Sequence, residues 1–226
     1  VGMSQAQVQK GSVLIKNATV LTVTKGNLES SDVLVQNGVI TQIGKNLSAP
    51  AGVTAIDATG KYLMPGIIDA HSHVGLDVVN EASAPITAEI RMKDVVNPQD
   101  LGIYRALAGG VTVSHAMHGS ANVVGGQNAT LKHRWGSEDP ANIIMQEAPR
   151  TIKFALGENV KRTTSTNNNR FPDTRMGVEE VLTDAFDKAV DYQKAMKANP
   201  TTTRRDLELE ALTEIMNKKR FITCHS

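Results

Sequence analysis

A change of pattern near residue 61 constrains this chain more than any other feature. Tyr62-Leu-Met-Pro-Gly-Ile-Ile-Asp-Ala-His71 is an almost continuous apolar run that ends in polar residues. Alternating apolar and polar residues mark a strand with one wet face. Continuity marks a strand covered on both faces, as in a parallel sheet. Further strand-like stretches follow at 111–117, 151–156 and 220–225, with helical stretches at 97–108, 178–197 and 207–216 between them. In the longest of these, Val178, Val181, Leu182, Ala185, Phe186, Ala189 and Met196 fall on one stripe. Strand and helix alternating in this way predict βα units and a parallel sheet. About five such steps are counted, whereas a complete (β/α)8 barrel takes about 250 residues by itself.

Ahead of residue 61 the pattern differs. Strands are predicted from Ser12 into the Val-Leu-Thr-Val stretch, over Asp32-Val-Leu-Val-Gln, over Val39-Ile-Thr-Gln-Ile and from Val53. Asn37-Gly38 between two of them is a type I′ hairpin signal. Residues 12–60 therefore read as a small β-sandwich part, 61–226 as the first part of a barrel, and 1–11 as a disordered or vector-derived tail. The polar stretch between Gly157 and Gly177 reads as a surface loop or as a lid over a site.

Composition narrows the function classes. Lys and Arg number 24 against 23 Asp and Glu, a formal net charge of +1, which argues against nucleic acid as the partner. One cysteine, Cys224, permits neither a disulfide framework nor a thiolate cage, and its strand position beside His225 predicts a buried packing role. No run of about 18 apolar residues exists, so no membrane span is expected. The first residues lack the pattern of an intact signal peptide. The expected protein is soluble, and cytoplasmic or else periplasmic or secreted after loss of a leader.

The chemistry concentrates where the apolar run ends. Residues i and i+2 on a strand point the same way, so His71 and His73 can share a cation at the carboxyl end of a buried strand. Active sites of barrels lie at that end. The alternative is a pair of hydrogen-bonded loop histidines.

Leu63-Met-Pro-Gly-Ile-Ile-Asp-Ala-His-Ser-His73 resembles the PG-hydrophobic-hydrophobic-D-x-H-x-H signature of the amidohydrolase superfamily. Ala108-Gly-Gly-Val-Thr-Val is similar to its second barrel strand, with Val113 in place of the usual Thr. Gly119-Ser-Ala-Asn-Val-Val-Gly-Gly-Gln-Asn128 and Ile152-Lys-Phe-Ala-Leu-Gly-Glu-Asn-Val-Lys161 resemble the imidazolonepropionase-like branch. The resemblance covers about residues 12 to 226. It implies a metal-dependent-hydrolase TIM-type barrel of the α/β class, incomplete in this chain and preceded by a β-sandwich domain.

The resemblance also implies a metal set: His71 and His73, a middle-strand Lys153, and His225. Lys153 as a carbamate would bridge two ions, with Glu158 and Glu147 competing for its slot. A buried ammonium is costly, which gives a lysine there a motive to become an anion beside cations. The bland readings are a surface lysine and a partly exposed terminal histidine. His118, Gln127 and Glu158 are candidate substrate contacts, with Arg170 and Arg175 more distant ones expected at the surface. His133 reads as structural. Gly125-Gly-Gln-Asn128 lacks the spacing of a phosphate loop.

The implied reaction is hydrolysis of amide, cyclic amide or peptide-like C–N bonds by a metal-activated hydroxide, with one or two divalent ions, zinc by donor type. The family's proton-shuttling Asp and its sixth-strand His have no counterpart before Ser226, so the isolated chain is expected to be inactive. Open sheet edges are expected too, which a second copy or a completing chain would cover. The rival reading is a non-catalytic truncated barrel that serves as a binding or structural module.

Overall fold

The computed structural model describes residues 11–161 and 170–225. The expected tail, apart from Gly11, residues 162–169 within the surface loop or lid expected between Gly157 and Gly177, and Ser226 lie outside the described residues. Contacts divide the chain into two units, Val1–Gly66 and Ile67–Ser226.

The first unit is one mixed sheet. Strands β1 (Val13–Leu21) and β2 (Asn27–Gln36) pair antiparallel, and β3 (Val39–Gly44) follows β2 through the Asn37-Gly38 turn. Both turn residues have positive φ, 52° and 77°, the geometry that a type I′ turn requires. Strands β4 (Thr54–Asp57) and β5 (Tyr62–Leu63) run parallel to β1. Ala18, Val20, Val33 and Ala58 form the small core of this unit. Asp32, 1% exposed, accepts the backbone N–H groups of Asn17 and Leu47, each at 2.8 Å. That carboxylate satisfies one donor where the β1–β2 ladder is irregular, at Asn17, and one in the loop after β3, at Leu47.

The apolar run therefore divides. Tyr62 and Leu63 complete the first sheet, and after Met64-Pro65-Gly66 the chain begins β6 (Ile67–Ser72) in the second unit. Proline cannot donate to a ladder, which breaks the strand that the continuous hydrophobicity suggested.

In the second unit, β6 pairs parallel with β7 (Val111–Ala116) after α1 (Leu101–Ala108). Asp100 caps α1 by accepting from Gly102 N, and Gly109 closes it. Next come β8 (Val124–Gln127), β9 (Ala129–Lys132) and β10 (Thr151–Ala155). Strand β9 pairs antiparallel with β7, and β8 antiparallel with β10. The long helix α2 (Arg175–Ala198) and α3 (Leu207–Met216) lead to β11 (Phe221–His225), parallel to β10. Four strands thus lie in two parallel pairs, where the sequence suggested about five steps. The antiparallel β8 and β9 are the elements the sequence pattern did not reveal. Mixed α/β architecture with part of a barrel and a separate small sheet is what these residues build.

Two clusters hold the second unit. Ile152, Phe154, Val160, Val123, Val124 and the buried stripe of α2 (Val178, Val181, Ala185, Ala189) pack with Ala211 and Leu212 of α3. Met92, Val96, Ile103, Leu131 and Ile143 form the other. No helix among the described residues is long and apolar enough to cross a membrane.

Candidate metal centre

His71 ends the apolar stretch of β6 and His73 follows that strand. Their rings stand 5.7 Å apart, centroid to centroid, nearly perpendicular at 85°. The ring of His225, at the end of β11, lies 6.1 Å from that of His71. Lys153 projects from β10, whose register with β11 sets Lys153 opposite Thr223 and Ala155 opposite His225. Its Nζ lies 3.5 Å from His71 Nε2. Three imidazoles and one amine thus converge from three strands.

The histidines are oriented by what their other nitrogens meet. His73 Nδ1 donates to the Met117 carbonyl at 2.8 Å. His225 Nδ1 is hydrogen-bonded to Ser120 Oγ. Both Nε2 atoms are left without a hydrogen bond among the described residues. A ring anchored through one nitrogen and presenting the other is how histidine ligands are held in metal sites. The His71 backbone N–H donates to Asp69 Oδ1 at 3.2 Å.

Electrostatics favours the neutral forms of His71 and Lys153. Burial comes first in holding the His71 pKa below the usual imidazole value, followed by the charges of Lys153, His73 and His225. Burial likewise lowers the Lys153 pKa. Lys153 is 1% exposed, so it is not a surface lysine. Its Nζ meets no carboxylate among the described residues, only the His71 ring. Such a group is stable in this setting as a neutral amine or as an anion facing cations.

The donor chemistry suits a divalent ion such as zinc, which takes imidazole nitrogen at about 2.0–2.1 Å. Tetrahedral ligation at that distance sets imidazole centroids about 5 Å apart. The observed spacings are up to about an ångström wider. Among the described residues no group of three or more His, Cys, Asp or Glu is close enough to hold a metal ion as it stands. The residues fit the ion in the kind of donor they offer, three imidazoles beside a buried amine.

The other expected residues lie elsewhere. Glu158 is an exposed partner of Lys161 (2.6 Å) and Arg175 (3.6 Å), and Glu147 faces Lys132 at 3.8 Å. With side chains 69% and 71% exposed, neither enters the histidine cluster. His118 is 1% exposed; its Nδ1 donates to the Gly119 carbonyl, and its Nε2 accepts from the Glu81 backbone N–H at 2.9 Å. Both nitrogens are thereby spent on holding a loop. Gln127 is engaged with the Ala88 carbonyl and the buried Arg220. His133 is buried between the Val111 carbonyl and Ser114 Oγ, in the structural role expected of it.

Two expectations are corrected. Arg170 is not a free surface group: its guanidinium donates to the carbonyls of Ala82, Ala84 and Ala121 at 2.6–2.8 Å. Cys224 is exposed rather than buried, because β11 has a paired neighbour on one side only among the described residues. The partners of Ser120 (His225), of the Met117 carbonyl (His73) and of Arg170 (the carbonyls of Ala82, Ala84 and Ala121) lie far off in sequence and carried no local signal.

No family model matches the chain. It is 37% identical over 178 residues to amidohydrolase tasK of Hapsidospora irregularis, covering 70% of this chain and 18% of that protein. Over 104 residues it is 40% identical to the dihydropyrimidinase of Dictyostelium discoideum, covering 46% of this chain and 18% of that protein. Among solved structures it is similar to an amidohydrolase from Thermotoga maritima MSB8, with a TM-score of 0.84 and 38% identity over 95% of this chain and 58% of that one. The chain thus spans about a fifth of the length of these curated relatives. On its histidine motif, its fold and these likenesses, the chain belongs to the amidohydrolase superfamily.

Proposed function

We propose that this chain supplies His71, His73, His225 and Lys153 to a divalent-metal centre, zinc by donor type, in a hydrolase of carbon–nitrogen bonds. The observation that carries the reading is the pair of anchored rings: His73 and His225 each spend Nδ1 on a neighbour and keep Nε2 for a ligand, beside the buried Lys153. The names of the relatives support the reaction class, since amidohydrolases and dihydropyrimidinases act on C–N bonds. Amides, cyclic amides and peptide-like molecules are the substrate class. The imidazolonepropionase-like branch is a finer assignment that rests on the motifs at 119–128 and 152–161.

When bound, a divalent ion makes water a nucleophile near neutral pH and polarises the scissile carbonyl. The chain's own residues do the rest. His73 and His225 present Nε2 from orientations held through Nδ1. Lys153 takes the middle-strand position, with one or two ions set by whether it is carbamylated. The surface ion pairs of Glu158 and Glu147 favour Lys153 over either for that place.

Isothermal titration of the metal-free chain with zinc tests this. The wild type is expected to bind stoichiometrically, and a His71→Ala/His73→Ala variant to lose at least a hundredfold in affinity. Equal binding by both would refute the proposal.

A further inference from the structure

Beneath the histidine cluster lies a polar layer where barrels ordinarily pack branched aliphatic side chains. Its members are His115 on β7, Thr151 on β10, Thr223 on β11 and Asn128 between β8 and β9. His115 Nε2 is 2.6 Å from Thr151 Oγ1, and His115 Nδ1 is 3.3 Å from the Ala70 carbonyl. Asn128 Nδ2 donates at 3.0 Å to both Thr151 Oγ1 and Thr223 Oγ1, and Asn128 Oδ1 accepts from the His118 backbone N–H. Thr223 Oγ1 donates to the Ile152 carbonyl at 3.2 Å.

These contacts admit one consistent direction. The Ala70 carbonyl can only accept, so His115 carries its proton on Nδ1 and its Nε2 accepts from the Thr151 hydroxyl. The same hydroxyl oxygen accepts from Asn128. Every donor in the chain has an acceptor, and the His115 tautomer is determined by its partners. Burial, the largest influence, also holds the His115 pKa low, consistent with a neutral ring.

The placement matters because of what lies one residue or two away. Ala70 adjoins His71, Thr151 precedes Lys153 by two, and Thr223 precedes His225 by two. Strand β6 is paired to β7, and β10 to β11, but among the described residues no ladder joins the two pairs directly. His115 and Asn128 tie them together through side chains.

We propose that His115 and Thr151, held by Asn128, are positioning residues that set the separation of β6 from β10 and thereby of His71 from Lys153. This rests on the metal-centre reading above and goes beyond it by naming groups that touch no ligand atom. A strand pair free to shift would spread the four donors and weaken whatever they hold. Partners that orient metal ligands typically matter by about 10–100-fold in affinity.

The test compares Thr151→Val, Thr151→Ser and His115→Leu in the full chain, each checked for wild-type far-ultraviolet circular dichroism. Zinc affinity is measured by competition, and the visible spectrum of the cobalt-loaded protein reports coordination geometry. Thr151→Val and His115→Leu are expected to lose at least tenfold in zinc affinity and to shift the cobalt bands, whereas Thr151→Ser retains both. Unchanged affinity and spectrum in Thr151→Val and His115→Leu would overturn the proposal.

A second measurement is independent of metal. Long-range nitrogen–proton correlation spectra are expected to show His115 as the Nδ1–H tautomer, and to show that preference lost in Thr151→Val. A ring that samples both tautomers in the wild type would overturn the positioning role. Failure of the wild type to bind any metal would instead refute the metal-centre reading, and the tautomer measurement then decides the network by itself.

Discussion

Lys153 concentrates the tension between folding and chemistry in one residue. Its amine is buried with no carboxylate against it among the described residues, only the His71 ring. Replacing a buried ionisable group by an apolar one of similar volume is often neutral or stabilising. Lys153→Met is therefore expected to raise the urea midpoint, or at least not lower it, while zinc affinity falls. A midpoint lower by the equivalent of 2 kcal/mol or more would show that the amine is structurally required, against this account. Asp32 behaves oppositely. It satisfies two backbone donors, so Asp32→Ala is expected to cost about 1–3 kcal/mol in urea unfolding. The histidines were legible at this scale because two-residue spacing on a strand is a direct statement about direction. His118 was not, because the loop that uses both its nitrogens comes from residues near 81 and 119, which no local pattern connects.

Among the elements, helix α3 meets the segment around Glu89 with its acidic first turn. Burial first, then the charges of Glu89 and Asp206, push the Glu208 carboxyl up to about 7, with Lys188 opposing. Glu89 Oε2 is itself buried without a hydrogen-bond partner among the described residues. A carboxyl whose folded pKa exceeds its unfolded value binds more protons when folded, so stability is full below about 4.5 and declines as pH rises through 7. Urea unfolding at pH 5 and pH 8 is expected to show a loss on the order of 1–3 kcal/mol in the wild type. Glu208→Gln should flatten that difference; an equal decline in the variant would contradict it. Strand β8 offers a second case. A Cβ on Gly125 would sit 2.6 Å from His118 Nδ1, and that ring cannot yield without breaking both its bonds. Gly125→Ala should therefore cost about 1–3 kcal/mol, measured by thermal unfolding.

Helices α2 and α3 were readable because apolar periodicity and caps such as Thr174 and Asp206 lie within each segment. Strands β8 and β9 were not, since Gly125 and Gly126 carry no strand propensity and their pairing with β10 and β7 is set by distant neighbours.

For the whole molecule, the sheets end on strands whose outer sides have no partner among the described residues. Ile67 and Ile68 on β6 are 46% and 67% exposed, and Phe221 and Ile222 on β11 are 61% and 46% exposed. Exposed apolar strand edges template association. Sedimentation is expected to show concentration-dependent self-association, reduced by Ile68→Lys together with Ile222→Lys. A monomer at all concentrations would contradict that. The division into a small sheet and a βα unit was visible in the change from alternating to continuous hydrophobicity, but its boundary was not. Pro65 moved Tyr62 and Leu63 to the first sheet, a tertiary choice that apolar character alone does not express.

The central claim is that β6, β10 and β11 bring their chemistry-bearing residues to one cation. X-ray absorption at the zinc edge reads that shell directly. The account predicts two or three imidazole nitrogens at about 2.0–2.1 Å in the wild type, with fewer in His225→Ala. A shell of oxygen alone, or one identical in the variant and the wild type, would contradict it.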